Sequence, residues 1–165
     1  MTNTRKMAIV AALSALSFLL MFYQIPLVAE FLKLDFSIIP ILLALVLLDF
    51  KSSVAVLLIR SVLKLALNGH GVETLIGLPI NIVAILVFVL FFALFWEKKR
   101  DLMSYLLASF LGILSLTASM LALNAFYAIP LYARFANFDI GQIIGVSKYL
   151  LTMIVPFNLL EGVIW

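Results

Sequence analysis

Residues Leu75–Trp96 read LIGLPINIVAILVFVLFFALFW, 22 positions without an acidic, basic or histidine side chain. An α-helix rises about 1.5 Å per residue, so this run reaches about 33 Å, enough to cross the roughly 30 Å hydrocarbon core of a bilayer. A helix at a soluble protein's surface keeps a polar face, and this one has none. It closes on Glu97-Lys98-Lys99-Arg100-Asp101, a charged segment suited to the water side of a membrane interface.

Working outward from it, the same pattern recurs. On the C-terminal side lie Leu102–Ile129, closed by Pro130, and a last run from Ile143 to Trp165. On the N-terminal side, Ser52–Leu67 carries Arg60 and Lys64 and ends in the turn-forming Asn68-Gly69-His70-Gly71. Before it comes Phe36–Leu48, with Pro40 placed for a helix's first turn and a length too short to cross alone. The first run is Met7–Val28. Arg5 and Lys6 before it resemble a signal peptide's n-region, but the run is too long for a signal h-region and lacks an Ala-x-Ala cleavage site. The spacing therefore predicts an all-α integral membrane protein, a single domain over 1–165 with six helices at about 7–28, 36–48, 52–67, 75–96, 102–129 and 143–165.

Composition agrees. Hydrophobic residues make up 66% and charged residues 12%, against roughly 45–50% and 25% in soluble domains. Mean hydropathy is +1.27. That balance excludes a soluble enzyme, a nucleic-acid binder and a disordered chain. With no cysteine and one histidine, disulfides, iron–sulfur clusters and a zinc site are not expected, and no metal ligands are assigned. No nucleotide-binding motif occurs, so uphill transport would need energy from a partner or an ion gradient.

The basic residues predict orientation. Arg5, Lys6, Lys51, Lys98, Lys99 and Arg100 fall on the N-terminal side, and only Lys33 and Arg134 on the other. The positive-inside rule then places the N-terminus in the cytoplasm and the loops around 23–35, 68–74 and 130–141 outside. No basic residue follows the last run, which leads us to expect a short cytoplasmic tail beyond Trp165.

Polar groups within apolar spans are costly and point to function. Arg60 and Lys64 share one helix face; they either snorkel or pair with acidic loop residues, or they line a polar cavity. Asn81, Asn124 and Asn158, with Glu161 one turn after Asn158, offer donors and acceptors suited to a neutral heterocyclic or hydroxylated ligand. Each alone also reads as interhelical glue. Tyr23, Phe31, Phe36, Phe126, Tyr127, Tyr132 and Phe138 crowd the outer side, either as interfacial anchors or as walls for a flat ring. The carboxylates are scattered, so no catalytic residue is assigned and the chain does not read as an enzyme.

Four segments carry a resemblance. Leu32-Lys33-Leu34-Asp35-Phe36-Ser37-Ile38-Ile39-Pro40 resembles the Leu-x-Leu-Asp-Phe-Ser-Asp-x-Pro segment of the riboflavin-binding S components of energy-coupling factor (ECF) transporters. Pro156-Phe157-Asn158-Leu159-Leu160-Glu161-Gly162 resembles that group's Pro-Phe-Asn-Leu-Ile-Lys-Gly. Asn124 with Pro130-Leu131-Tyr132 is similar to its Asn followed by Pro-Leu-Tyr, and Asn81-Ile82-Val83-Ala84 to its Asn-Phe-x-Ala. The resemblance implies a prokaryotic cell-membrane subunit that captures riboflavin from outside, as transported substrate and not as cofactor. A transmembrane T component and two cytoplasmic ATPases would then drive uptake. It implies riboflavin contacts at Asn81, Asn124, Asn158 and the position of Glu161, and at Lys33 and Leu34 largely through backbone. It also implies a T-component contact through small residues of the first helix; Ala8/Ala12 and Ala11/Ala15 both fit the Ala-x-x-x-Ala spacing, and Ala11 and Ala15 are the preferred pair. Two positions depart: Ile38 stands where the group has a second Asp, and Glu161 where it has Lys, an acceptor in place of a donor. The alternatives are an S component for another small vitamin or precursor, and a non-transporting membrane scaffold subunit.

Overall fold

A computed structural model describes residues 2–29, 32–69, 71–96 and 99–165. Phe31, His70, Glu97 and Lys98, used in the reading above, lie outside them. The chain folds as α1 (Asn3–Leu20), a hairpin of β1 (Gln24–Ala29) and β2 (Leu32–Asp35), α2 (Ile38–Leu47), α3 (Phe50–Leu67), α4 (Val72–Trp96), α5 (Leu102–Phe135), and α6 (Val146–Ile164). A single helical turn, Ile140–Ile143, precedes α6. Among the described residues four helices are long and apolar enough to cross a membrane: α1, α4, α5 and α6. At ten residues α2 rises about 15 Å, half a bilayer core.

The structure corrects three boundaries. The first helix stops at Leu20 instead of running to Val28, and Gln24–Ala29 pairs antiparallel with Leu32–Asp35. Apolar content alone does not separate a strand from a helix, and Pro26 favours the extended form. The fold is helical, and among the described residues it adds one two-stranded hairpin. Gln24 faces Asp35 and Pro26 faces Lys33; the register then slips between Pro26 and Ala29.

The second correction is that Pro130 does not end the fifth helix, which continues to Phe135. Proline lacks an N–H and its ring collides with the carbonyl four residues back. Here the helix widens just upstream into a π turn at Asn124–Ala128, where the Ile129 N–H reaches back five residues to the Asn124 carbonyl. The same device stands before Pro156, with a π turn at Leu150–Ile154 and the Val155 N–H on the Leu150 carbonyl. Third, the last helix starts at Val146, because Gly145 adopts φ 89°, a left-handed conformation that separates it from the preceding turn.

The core lies between α2, α3, α4 and α5, around Ile41, Leu57, Ile85, Phe88 and Leu116. The α4–α5 pair is the most extensive helix contact. It is close because Gly112 leaves room for the Phe88 ring: a Cβ there would stand 3.2 Å from ring carbons. Gly162 likewise brings α6 against Ile113 of α5, 2.9 Å from where its Cβ would lie. A smaller cluster of Ile129, Ile140, Tyr149 and Ile154 joins the ends of α5 and α6, with Leu32 of the hairpin packed on it. At the other end, Lys6 of α1 pairs with Asp49, which also caps α3 through the Ser52 N–H at 2.8 Å.

Candidate functional site

Polar side chains that a membrane helix would not bury without cause gather below the hairpin. Asp35, the last residue of β2, is 3% exposed and Arg60 of α3 is fully buried. Arg60 Nη1 lies 3.4 Å from Asp35 Oδ2 and also donates to Ser37 Oγ, while Nη2 donates to Asn81 Oδ1. Asn81 Nδ2 closes the ring by donating to Asp35 Oδ2 at 3.3 Å. The other carboxylate oxygen accepts from the Ser37 N–H at 2.8 Å. Ser17 of α1 donates to the Ser37 carbonyl at 2.6 Å. Trp165 Nε1, just past α6, donates to the Asp35 carbonyl at 3.1 Å. Breaking a buried pair of this kind by removing one charge costs about 3–5 kcal/mol.

Of the two readings open for Arg60, pairing with an acidic residue near the first loop is the one observed, but as a buried contact and not by snorkelling. Sequence reasoning left Asp35 among the scattered carboxylates. The usable signal was charge: an arginine inside one apolar run and an aspartate at the edge of another. Lys64 instead reaches Asn68 one turn on and lies over the Phe22 ring at 5.4 Å.

The amides occupy three environments. Asn81 spends both ends of its amide on Arg60 and Asp35. Asn124, 6% exposed at the first π turn, donates to the Met120 carbonyl at 2.8 Å and accepts from Tyr149 Oη at 3.4 Å. Asn158 is fully buried on α6 and donates to the Ile154 carbonyl at 2.8 Å. Its Oδ1 has no partner among the described residues. An unpaired buried acceptor costs about 1–3 kcal/mol. Glu161, one turn on and 6% exposed, faces the backbone N–H of Asp35.

Leu34 is buried and Lys33 exposed, as neighbours on a strand alternate. The aromatics divide: Tyr23 and Phe126 are among the most exposed side chains, whereas Tyr127 and Tyr132 are half-buried against Ile76, Ile80 and Ala128. Ala11 and Ala15 are exposed on α1, whereas Ser14 and Ser17 are buried. A groove of about 410 Å³ between α1 and α3 includes Lys6, Val10, Ala11, Ser52 and Ala55. A second, of about 360 Å³, lies where Phe88, Ile113, Gly162 and Trp165 meet.

Helices long and apolar enough to cross a membrane around a buried polar cluster make this an integral membrane fold. A family model for the ECF transporter, substrate-specific component, matches residues 5–165, and the chain belongs to that family. It is 58% identical over 167 residues to the riboflavin transporter RibU of Streptococcus thermophilus, covering all of this chain and 79% of that protein. It is 42% identical to the riboflavin transporter RibU of Leuconostoc mesenteroides, over 99% of this chain and 87% of the relative. A solved structure, the S component of a bacterial ECF transporter, superimposes with a TM-score of 0.79 at 26% identity, covering 99% of this chain and 89% of that one. The family captures substrate and is not enzymatic, and this member is a multi-pass membrane protein.

Proposed function

We propose that this chain is a riboflavin-capture S component that binds the vitamin on the outer side of a prokaryotic cell membrane. It hands the vitamin to a T component and two ATPases for uptake. The observation that carries the reading is the unpartnered Oδ1 of buried Asn158, in a chain similar over its whole length to riboflavin transporters. A flavin ring offers donors and acceptors on one edge, and a buried amide answers them without charge. Asn124 sits at a π turn, a distortion frequent at functional sites. Asn158 lies in the helical turn after the second one. Lys33 and Leu34 bring hairpin backbone to the same end, and Glu161 accepts from ribityl hydroxyls. In this reading all six helical segments are embedded, with the N-terminus cytoplasmic and α2 and the hairpin lying partway into the bilayer. Exposed Ala11 and Ala15 form the face that meets the T component.

Titration of purified protein with riboflavin, followed by flavin fluorescence quenching, tests this. Saturable quenching is the expected result, and none at all would refute the flavin assignment. Glu161 is the one feature that favours a second reading, an S component for another small vitamin, which a vitamin panel in the same assay would identify.

A further inference from the structure

The residues around Asp35 do more than neutralise one another. Two carboxylate oxygens and one carbonyl of a single residue receive groups from α3, α4, the turn into α2 and the residue after α6. The hairpin follows a helix that ends at Leu20, and outside this point its described contacts are apolar, chiefly Leu32 on the α5–α6 cluster. A two-stranded sheet is marginal by itself, so its place relative to the helices must be set by anchors. Each end of the Asn81 amide is already engaged, Oδ1 by Arg60 and Nδ2 by Asp35. Arg60 is fully enclosed, its guanidinium aimed at the base of the hairpin.

We infer that Arg60, Asp35 and Asn81 are positioning residues: they fix the hairpin carrying Lys33 and Leu34 against the α6 face carrying Asn158 and Glu161. This deepens the riboflavin-capture reading and rests on it for the affinity part of its test. Charge and direction both matter. The two Nη atoms of one planar guanidinium serve Asp35, Ser37 and Asn81, which a lysine ammonium does not reproduce.

Two measurements test it. In the first, cysteines are placed at exposed Ile25 of β1 and Phe135 of α5, spin-labelled, and their separation is measured without ligand by pulsed electron resonance. The chain has no native cysteine to interfere. The parent should give one narrow distance, and Asp35→Asn and Arg60→Gln should each broaden or shift it. In the second, riboflavin quenching without labels should show Kd raised about tenfold or more in each single variant. The double variant Asp35→Asn/Arg60→Gln, which leaves no unpaired charge, should recover part of both properties. Should the single variants fail to fold, Asn81→Ala removes one leg of the ring and faces the same two assays. Unchanged distance and Kd within twofold, with only the melting temperature lowered, would overturn the inference by showing a purely structural role. If the parent does not quench riboflavin at all, the flavin reading fails alone and the distance measurement decides the positioning claim.

Discussion

Asn158 and Glu161 concentrate the chemistry at the scale of single residues. Asn158 is fully buried, and truncating it to alanine removes an acceptor that a ligand donor would meet. Losing one partner of a buried hydrogen bond costs about 1–3 kcal/mol, so Asn158→Ala should weaken riboflavin binding about five- to a hundredfold in the quenching assay. Glu161 is an acceptor where the resembling group has a donor. Glu161→Gln should therefore weaken binding, whereas Glu161→Lys should hold or improve it. FMN, whose phosphate is anionic, should bind poorly if that phosphate approaches the carboxylate. A Glu161→Lys protein with strongly reduced riboflavin affinity would show that this chain has built a different contact at the position.

Elements show how small residues and caps set the contacts. Along α1, Ser14 and Ser17 face inward and hydrogen-bond to carbonyls, while Ala8, Ala11, Ala12 and Ala15 stay exposed. A stripe of alanines lets another helix backbone approach. Ala11→Trp with Ala15→Trp should leave riboflavin affinity unchanged and abolish uptake and co-purification with a T component. Unaltered uptake would locate docking elsewhere. The opposite end of α2 supplies a pH dependence. The Lys6 ammonium holds the Asp49 carboxyl below its ordinary range against the opposing effect of burial, with help from the Ser52 N–H and hydroxyl. A carboxylate depressed in the folded state contributes stability above its unfolded pKa and loses it as pH falls through the folded value. Melting temperature in detergent should thus fall on acidification below about pH 4, and Asp49→Asn should flatten that slope. An identical slope in the variant would mean that other acids, such as Asp101 capping α5 through Ser104, dominate.

For the whole molecule the claim is orientation. The Lys6–Asp49 pair shows that the start of α1 and the α2–α3 turn share one end, the end that also carries Lys51. Cysteines introduced at Asn3 and Lys99 should be shielded from a membrane-impermeant thiol reagent in intact cells, and one at Asn137 should be labelled. Labelling of position 99 from outside would invert the arrangement.

That this is a membrane protein with long apolar helices is legible in its residues alone, because a span needs only length and apolar composition, both local properties. The sequence also marked Asn124 and Asn158, since a polar group inside such a span stands out against its neighbours. It misjudged the segment 21–29, whose apolar residues fit strand and helix equally until Leu32–Asp35 offered a pairing edge. Pro130 read as a stop because its local rule is steric; the π turn that relieves the clash depends on the chain around it. Only the tertiary structure decided that Asp35 and Arg60, twenty-five residues apart, meet in the interior with Asn81. A buried charge is tolerable there because its partner arrives from another element, and no sequence period encodes that meeting.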